Sequence, residues 1–346
     1  MLEPSAKTWA LRLADFWNEN AERWLFVEDT ALVRRLKISG YYVRVAPERI
    51  LQDRRALQDY VLVKNHVDGE QILAAEQIGT EFLQLVRLGL RDPKDPLIKN
   101  STKVVDAILK TETPTGPVWH RYNRDGYGEH EDGRPYDGAG RGRGWPLLTG
   151  EGGHYELALG AGPMPYLQAM TATTSPCGMM PEQVWDEAPI EWRRLLPGRP
   201  TGAAMPLVWA HAEFIKLLAS RHLGRPFDRP RAVWQRYQGK RTTCTHACWW
   251  PHAQICDVRV GSRLVIALPE PAMIHWGRNG WKEIVDMETI DTGIAFHAVC
   301  LDVDRLAAGE RVEFTWKWRE SGDWHGRDYA VTVTPSRISR AEKACA

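Results

Sequence analysis

The sequence is poor in the features that define several classes of protein. Six cysteines in 346 residues are too few for a disulfide scaffold. No stretch approaches the ~20 consecutive apolar residues of a membrane helix. Net charge is nearly absent: 45 Lys+Arg against 44 Asp+Glu leave +1, so no bulk field attracts nucleic acid or an anionic membrane. The opening MLEPSAKTWALRLADFW has no basic region followed by an apolar core, so the expected location is cytoplasmic. G-x-G-x-x-G, G-K-[ST] and G-x-S-x-G are missing too. The glycine run GAGRGRGW (138–145) therefore carries no phosphate-loop signature, and neither a cofactor nor a Ser-His-Asp site is expected. What remains, at 43% hydrophobic and 26% charged residues, is an ordinary globular composition.

Tryptophan is the exception. Its 16 copies exceed both the 10 Tyr and the 7 Phe. Half lie beyond residue 230, at Trp234, Trp249, Trp250, Trp276, Trp281, Trp316, Trp318 and Trp324. Indoles in such number are core or binding platform, and core is the commoner fate.

The pattern changes along the chain. Residues 5–25 place Trp9, Leu13, Phe16, Trp17 and Trp24 near helical spacing, with Ser5 as a cap. GYYVRVAP (40–47) reads as a strand or hairpin arm, and EQILAAEQI and TEFLQLVRLGL as two short helices. Residues 95–110 space Ile98, Val104, Val105, Ile108 and Leu109 helically behind an early Pro. Residues 116–153 hold eleven Gly in 38 positions, too many for a regular element. Trp119, Tyr122, Tyr127, Tyr136 and Trp145 in that stretch argue for an ordered loop near a site. Helix is expected at 153–171 and again at 201–222 with Thr201 as its cap, with a loop at 175–187 between them. Beyond 226 period two takes over: FTWKWRE sets Phe314, Trp316 and Trp318 against Thr315, Lys317 and Arg319. RVGSRLVIALP and YAVTVTP read as strands as well. The reading is mainly α followed by β: residues 1–226 helical, 227–337 a β-sandwich, 338–346 a tail.

Three patterns carry candidate chemistry. Glu182, in Met180-Pro181-Glu182-Gln183-Val184-Trp185-Asp186, is a carboxylate among apolar neighbours that would raise its pKa towards general-base use. A carboxylate at a helix start is the bland alternative. Arg121 and Asp125, four apart among Trp119, Tyr122 and Tyr127, suit a polyol held by hydrogen bonds between rings; a surface ion pair is the alternative. Cys244-x3-Cys248-x3-His252-x3-Cys256 offers zinc-type ligands, but equal steps suit a helix and the segment reads as strand and turn, so no metal site is expected.

Taken together, GPVWHRYNRDGYGEHEDGRPYDGAGRGRGWPLLTGEGGHYELALG (116–160), MPEQVWD (180–186) and GRPTGAAMPLVWAHAEFIKLL (198–218) resemble the bacterial glucoamylase-like enzymes of glycoside hydrolase family 15. FLQLVRLGLRDPKDPLIKNSTKVVDAILK (82–110), WGRNGW (276–281), EFTWKW (313–318) and W-x-G-x-D-Y (324–329) are similar too. The resemblance implies an (α/α)6 barrel and release of glucose from the non-reducing ends of α-glucans or maltooligosaccharides with inversion. It implies Glu182 as general base, Arg121 and Asp125 on the hydroxyls of the terminal glucose, and Trp145 as a stacking position. Trp209 matches an aromatic of the pocket wall, and Trp119 and Tyr122 are further substrate-binding positions. In such inverting enzymes an acid and a base stand about 6.5–9.5 Å apart, leaving room for a water.

One departure matters. The family's general acid lies in a Trp-Glu-Glu-type motif, and no Trp-Glu-Glu occurs here. Helical segments suffice for part of a twelve-helix barrel, so 1–226 reads as its C-terminal part. Acid assistance is typically worth 10²–10⁴-fold, so the chain alone should turn over starch-like glycosides weakly if at all. The rival readings are a subunit completed by a separate chain carrying the N-terminal half, and a non-catalytic carbohydrate-binding protein. For 227–337, glucan binding and simple packing both fit the Trp density.

Overall fold

The computed structural model describes residues 5–66 and 69–335. Two compact units emerge. One comprises residues 1–24, 48–54 and 242–346, the other 25–47 and 55–241. This division differs from a single cut at 226. The first helix joins the β-rich unit, and the chain changes unit after the helix Arg231–Tyr237.

The helical unit holds seven of the eight α-helices among the described residues, with three two-stranded sheets. Pro96–Ile108 follows the sequence closely: Asp95 Oδ1 accepts the Leu97 N–H at 2.8 Å and Pro96 opens the first turn. Its stripe, Ile98, Val104 and Val105, is buried. The central helix Pro146–Leu159 contains Gly150, Gly152 and Gly153, each costing roughly 1 kcal/mol against Ala. Packing explains two of them. A Cβ at Gly150 would meet Glu213 at 2.7 Å, and one at Gly153 would meet Leu217 at 2.6 Å, so the glycines let Val208–Leu223 lie close. Met164–Ala172 covers another side through Met170 and Tyr166.

Beneath these helices lies a buried ion network. Arg87 donates twice to Glu213 (2.7 and 3.0 Å) and twice to Asp228 (3.0 and 2.8 Å). His154 Nε2 lies 3.2 Å from Glu213 Oε1. The Arg87 side chain is only 6% exposed, and its two partners supply the compensation that a buried guanidinium requires.

Four expectations for this unit need correction. The stretch 116–153 is not irregular throughout: Gly116–Trp119 is a strand and the helix Pro146–Leu159 begins within it, ahead of the expected 153, and a second helix Met164–Ala172 follows. EQILAAEQI is not a helix: Gln71–Leu73 is a strand paired with Tyr60–Leu62, and Ala74–Glu76 a 3-10 turn. The cause is tertiary, since Ile72 packs with Val63 and Tyr122. TEFLQLVRLGL is helical only over Leu83–Arg87. Thr201 caps nothing: the helix begins at Val208, because 198–204 runs beside the Glu182 segment, with Trp185 N–H donating to Arg199 O and Thr201 N–H to Gln183 O.

The β-rich unit carries two sheets. One orders its strands Lys282–Glu288, Ala272–Arg278, Arg311–Trp318, Tyr329–Thr334, Asp257–Arg259. The other orders them Ile290–Asp291, His297–Leu301, Arg263–Leu268, His246–Trp249. Each is antiparallel except for one parallel pair, Tyr329–Thr334 with Asp257–Arg259 and His246–Trp249 with Arg263–Leu268. Their inward residues share one core, which also takes Trp9, Leu13 and Phe16 of the helix Ala6–Leu25. Ser5 Oγ caps that helix by accepting the Thr8 N–H at 3.3 Å. Trp249 and Trp316 are core, and Trp250, Trp276 and Trp318 pack against it, so most of the late tryptophans are structural.

Candidate functional site

The glycine-rich loop is ordered by its own backbone. It leaves the hairpin strand Gly116–Trp119 and returns beside it, where Trp145 N–H donates to Trp119 O at 2.9 Å. Between these points 125–129 and 140–142 run side by side, with Gly142 N–H donating to Asp125 O at 2.6 Å. The glycines answer a lack of room: a Cβ at Gly140 would sit 1.9 Å from Gly128 O, and one at Gly142 2.8 Å from the Asp125 side chain. The loop then docks on the Glu182 segment. Val184 N–H donates to Gly144 O at 2.9 Å, and Arg143 N–H to Gln183 Oε1 at 2.8 Å.

This folding assembles a charged group walled by rings. Arg121 donates from Nε and Nη2 to the two oxygens of Asp125, at 2.7 and 2.9 Å. Asp125 also accepts the Tyr127 N–H at 3.1 Å and is buried. The guanidinium lies 5.0 Å from the Trp145 ring, 4.9 Å from Tyr127 and 5.4 Å from Tyr122. Tyr127 bridges to the carboxylate, its hydroxyl donating to Glu182 Oε2 at 3.4 Å. Burial pushes the Glu182 carboxyl above its ordinary range, against the pull of Ala204, the Tyr127 hydroxyl and the Arg121 charge; Glu129 adds to the rise. Such a carboxylate is a better proton acceptor than an exposed one.

A cavity of about 610 Å³ opens beside it, lined among others by Tyr127, Glu129, Tyr136, Gln183, Trp192 and Ala204. Glu129 is 6% exposed; its Oε1 accepts the Gly202 N–H at 2.6 Å, and its Oε2 has no hydrogen-bond partner among the described residues. Behind the wall, fully buried Arg143 stacks on Trp185 at 4.0 Å and donates to the carbonyls of Glu129 and His130 at 2.8 and 2.9 Å. It thereby ties the loop to the Glu182 segment.

The sequence-derived residues divide into two groups. Arg121, Asp125 and Trp145 come together, joined to Glu182 through Tyr127. Tyr122 is buried edge material: it packs with Val63 and Ile72, with Arg44 4.1 Å over its ring. Trp119 turns towards the helices, donating from Nε1 to Asp106 at 3.0 Å and stacking on Tyr166 at 6.1 Å. Trp209 stands 59% exposed in the first turn of Val208–Leu223. That turn is tied to the Glu182 segment by Met180 N–H donating to His211 Nε2 at 2.9 Å. Glu129, Gln183 and Arg143 were missed as site residues, and Tyr127 was read as a ring beside the Arg121–Asp125 pair but not as the link to Glu182. All four lie inside the motif segments, within a few positions of Asp125, Glu182 or Trp145.

The cysteine run does not converge. Cys244 Sγ lies 3.0 Å from His246 O, Cys248 is in the strand His246–Trp249, and Cys256 Sγ lies 3.2 Å from Gln52 O. Burial pushes the Cys244 thiol up to about 11 and raises Cys248 and Cys256 as well. Among the described residues no group of three or more His, Cys, Asp or Glu is placed to hold a metal ion.

No protein-family model matches the chain. It is 40% identical over 231 residues to a glucoamylase of Clostridium sp. (strain G0005), across 66% of this chain and 31% of the relative. It also superposes with TM-score 0.56 and 38% identity on a bacterial glucoamylase solved in complex with acarbose, covering 65% of this chain and 30% of that one. The resemblance to bacterial glucoamylases thus holds in sequence and in fold, and the chain spans about a third of the length of the relatives it matches.

Proposed function

We propose that this chain carries the base side of an inverting exo-α-glucosidase site acting on the non-reducing ends of α-glucans. The observation that carries the reading is the joining of Glu182, through Tyr127, to the Arg121–Asp125 pair beneath Trp145. Both comparisons support a glycoside hydrolase of glucoamylase kind. Arg121 and Asp125 would hold sugar hydroxyls, Trp145 would face the ring, and Trp209 would extend the wall. Glu182 takes a proton from water as that water's oxygen attacks the anomeric carbon, while the leaving oxygen departs from the opposite face with a proton from a general acid. The family's acid motif does not occur in these 346 residues, and an acid supplied by a separate chain carrying the N-terminal half would complete the site. In this reading the helical unit is part of an (α/α)6 barrel, the two-sheet unit a β-sandwich, and the site works in the cytoplasm.

The second reading, a non-catalytic carbohydrate binder, uses the same group without turnover. Glu182→Gln separates them. The first reading expects the variant to keep maltooligosaccharide affinity and lose hydrolysis of α-glucosyl fluoride. A wild-type chain that binds the sugar, folds, and never turns the fluoride over would leave the binder.

A further inference from the structure

A second cavity, of about 360 Å³, lies in the two-sheet unit, lined among others by His275, Trp281, Ile284, Trp324, Arg327 and Asp328. Its walls are aromatic. The His275 ring stacks on Trp281 with centroids 5.5 Å apart and meets Trp324 edge-on at 5.5 Å. Trp324 is 52% exposed and Ile284 50%, which sets them apart from the buried tryptophans of this unit.

Their exposure is built in. Trp324 is held from both sides, by Trp318 N–H donating to Asp323 O at 2.9 Å and His325 N–H to Trp316 O at 2.9 Å. Thr315 Oγ1 donates to Arg327 O at 2.9 Å and fixes the next turn. Opposite, Asn279, Trp281 and Glu283 all take positive φ, at 48°, 61° and 53°. Asn279 takes that conformation readily, but it is unfavourable for Trp281 and Glu283, and the indole gains nothing from it locally. The turn is anchored instead: Asn279 donates to Glu310 at 2.9 Å, accepts the Arg311 N–H at 2.9 Å, and Gly280 N–H donates to Glu313 at 3.2 Å. The chain thus accepts strain to present an indole beside a cavity.

The polar groups select the ligand. Arg327 and Asp328 are both exposed at the rim, and His275 Nδ1 is 2.6 Å from Asp286 Oδ1, so charge nearly cancels. An anionic sugar or a nucleotide finds no net cation here. A neutral pyranose fits: its axial C–H bonds meet the negative indole faces while its hydroxyls bond the guanidinium and carboxylate. The volume is within the range of small-ligand sites.

We propose that the Trp281–Trp324 cavity is a second, non-catalytic glucan site that holds an α-glucan chain. It rests on the glucoamylase reading only for the identity of the sugar. The test is a titration of the full chain with maltoheptaose, read from indole N–H signals by NMR. Saturable shifts at Trp281 and Trp324 are expected. Trp324→Ala should weaken the Trp281 response at least about tenfold, the scale of losing one aromatic stacking platform, while Trp324→Phe retains it. Hydrolysis of α-glucosyl fluoride should be unchanged in both variants. No shift at these indoles, or shifts that survive Trp324→Ala, would overturn the proposal. An equal response to cellohexaose would overturn the α-glucan assignment. Because the signal needs no turnover, an inactive Glu182 site would leave this result standing.

Discussion

Removing the Asp125 carboxylate tests whether the Arg121 pair organises the site. In Asp125→Ala, Arg121 loses both charge-assisted hydrogen bonds, 2.7 and 2.9 Å, and the Tyr127 N–H loses its 3.1 Å acceptor. The Asp125 side chain is 1% exposed and that of Arg121 31%, so water reaches the stranded guanidinium only in part. Breaking a fully buried pair costs about 3–5 kcal/mol, and the partial exposure of Arg121 moves the expectation to about 2–3 kcal/mol. For a unit of this size that lowers the melting temperature by roughly 5–10 °C. Asp125→Asn keeps the shape and one acceptor oxygen, so about half that loss is expected. Urea unfolding followed by tryptophan fluorescence gives both numbers. The second readout is Tyr127: without its anchor the contact with Glu182 loosens, and maltooligosaccharide affinity falls in both variants. An Asp125→Ala protein within about 0.5 kcal/mol of wild type, as for a solvated surface pair, would refute the reasoning.

Four further outcomes follow from the same geometry. Burial raises the Glu182 carboxyl above its ordinary value of 4.5, so hydrolysis of α-glucosyl fluoride should fall with acid through a pKa above that value; Tyr127→Phe, removing a donor to the charged form, should shift the limb upward. Glu151, desolvated and close to the Glu213 charge, titrates at about 7 against 4.5 unperturbed. The folded state then binds the extra proton between those values, so stability falls as pH rises through that window; Glu151→Gln should remove the fall, worth about 3 kcal/mol at pH 8, as measured by denaturant unfolding. Gly142→Ala places a Cβ 2.8 Å from the Asp125 side chain, so loop displacement and loss of sugar affinity are expected in a calorimetric titration, with the cavity beside Tyr127 deformed. Trp209→Ala should change thermal stability by less than about 0.5 kcal/mol, because the indole is 59% exposed, and a larger loss would place it in the packing.

What the sequence made legible depended on how local the cause was. Pro96–Ile108 was readable because its cap, its N1 proline and its stripe lie within the segment. The Arg121–Asp125 pair was readable because four residues suffice to close it. EQILAAEQI was not, since its strand exists through pairing with Tyr60–Leu62, fixed by the packing of Ile72 on Val63 and Tyr122. Thr201 looked like a cap but serves a segment whose hydrogen bonds go to Gln183 and Trp185. The helix Ala6–Leu25 showed its stripe clearly, but not that Trp9, Leu13 and Phe16 meet strands more than 200 residues away. Within the site, Glu182 and Trp145 came from the motif. Tyr127, the link between Glu182 and the Arg121 group, emerged only with the loop folded, since 55 residues separate it from Glu182.

The central claim, that Glu182 acts as a base towards a sugar held by the Arg121 group, is tested most directly with α-glucosyl fluoride. Fluoride leaves without a proton, so the base is examined apart from the acid. Proton NMR of the fresh product should show β-glucose, and Glu182→Gln should abolish it. Release of α-glucose, or turnover that survives Glu182→Gln in a folded protein, would contradict the account.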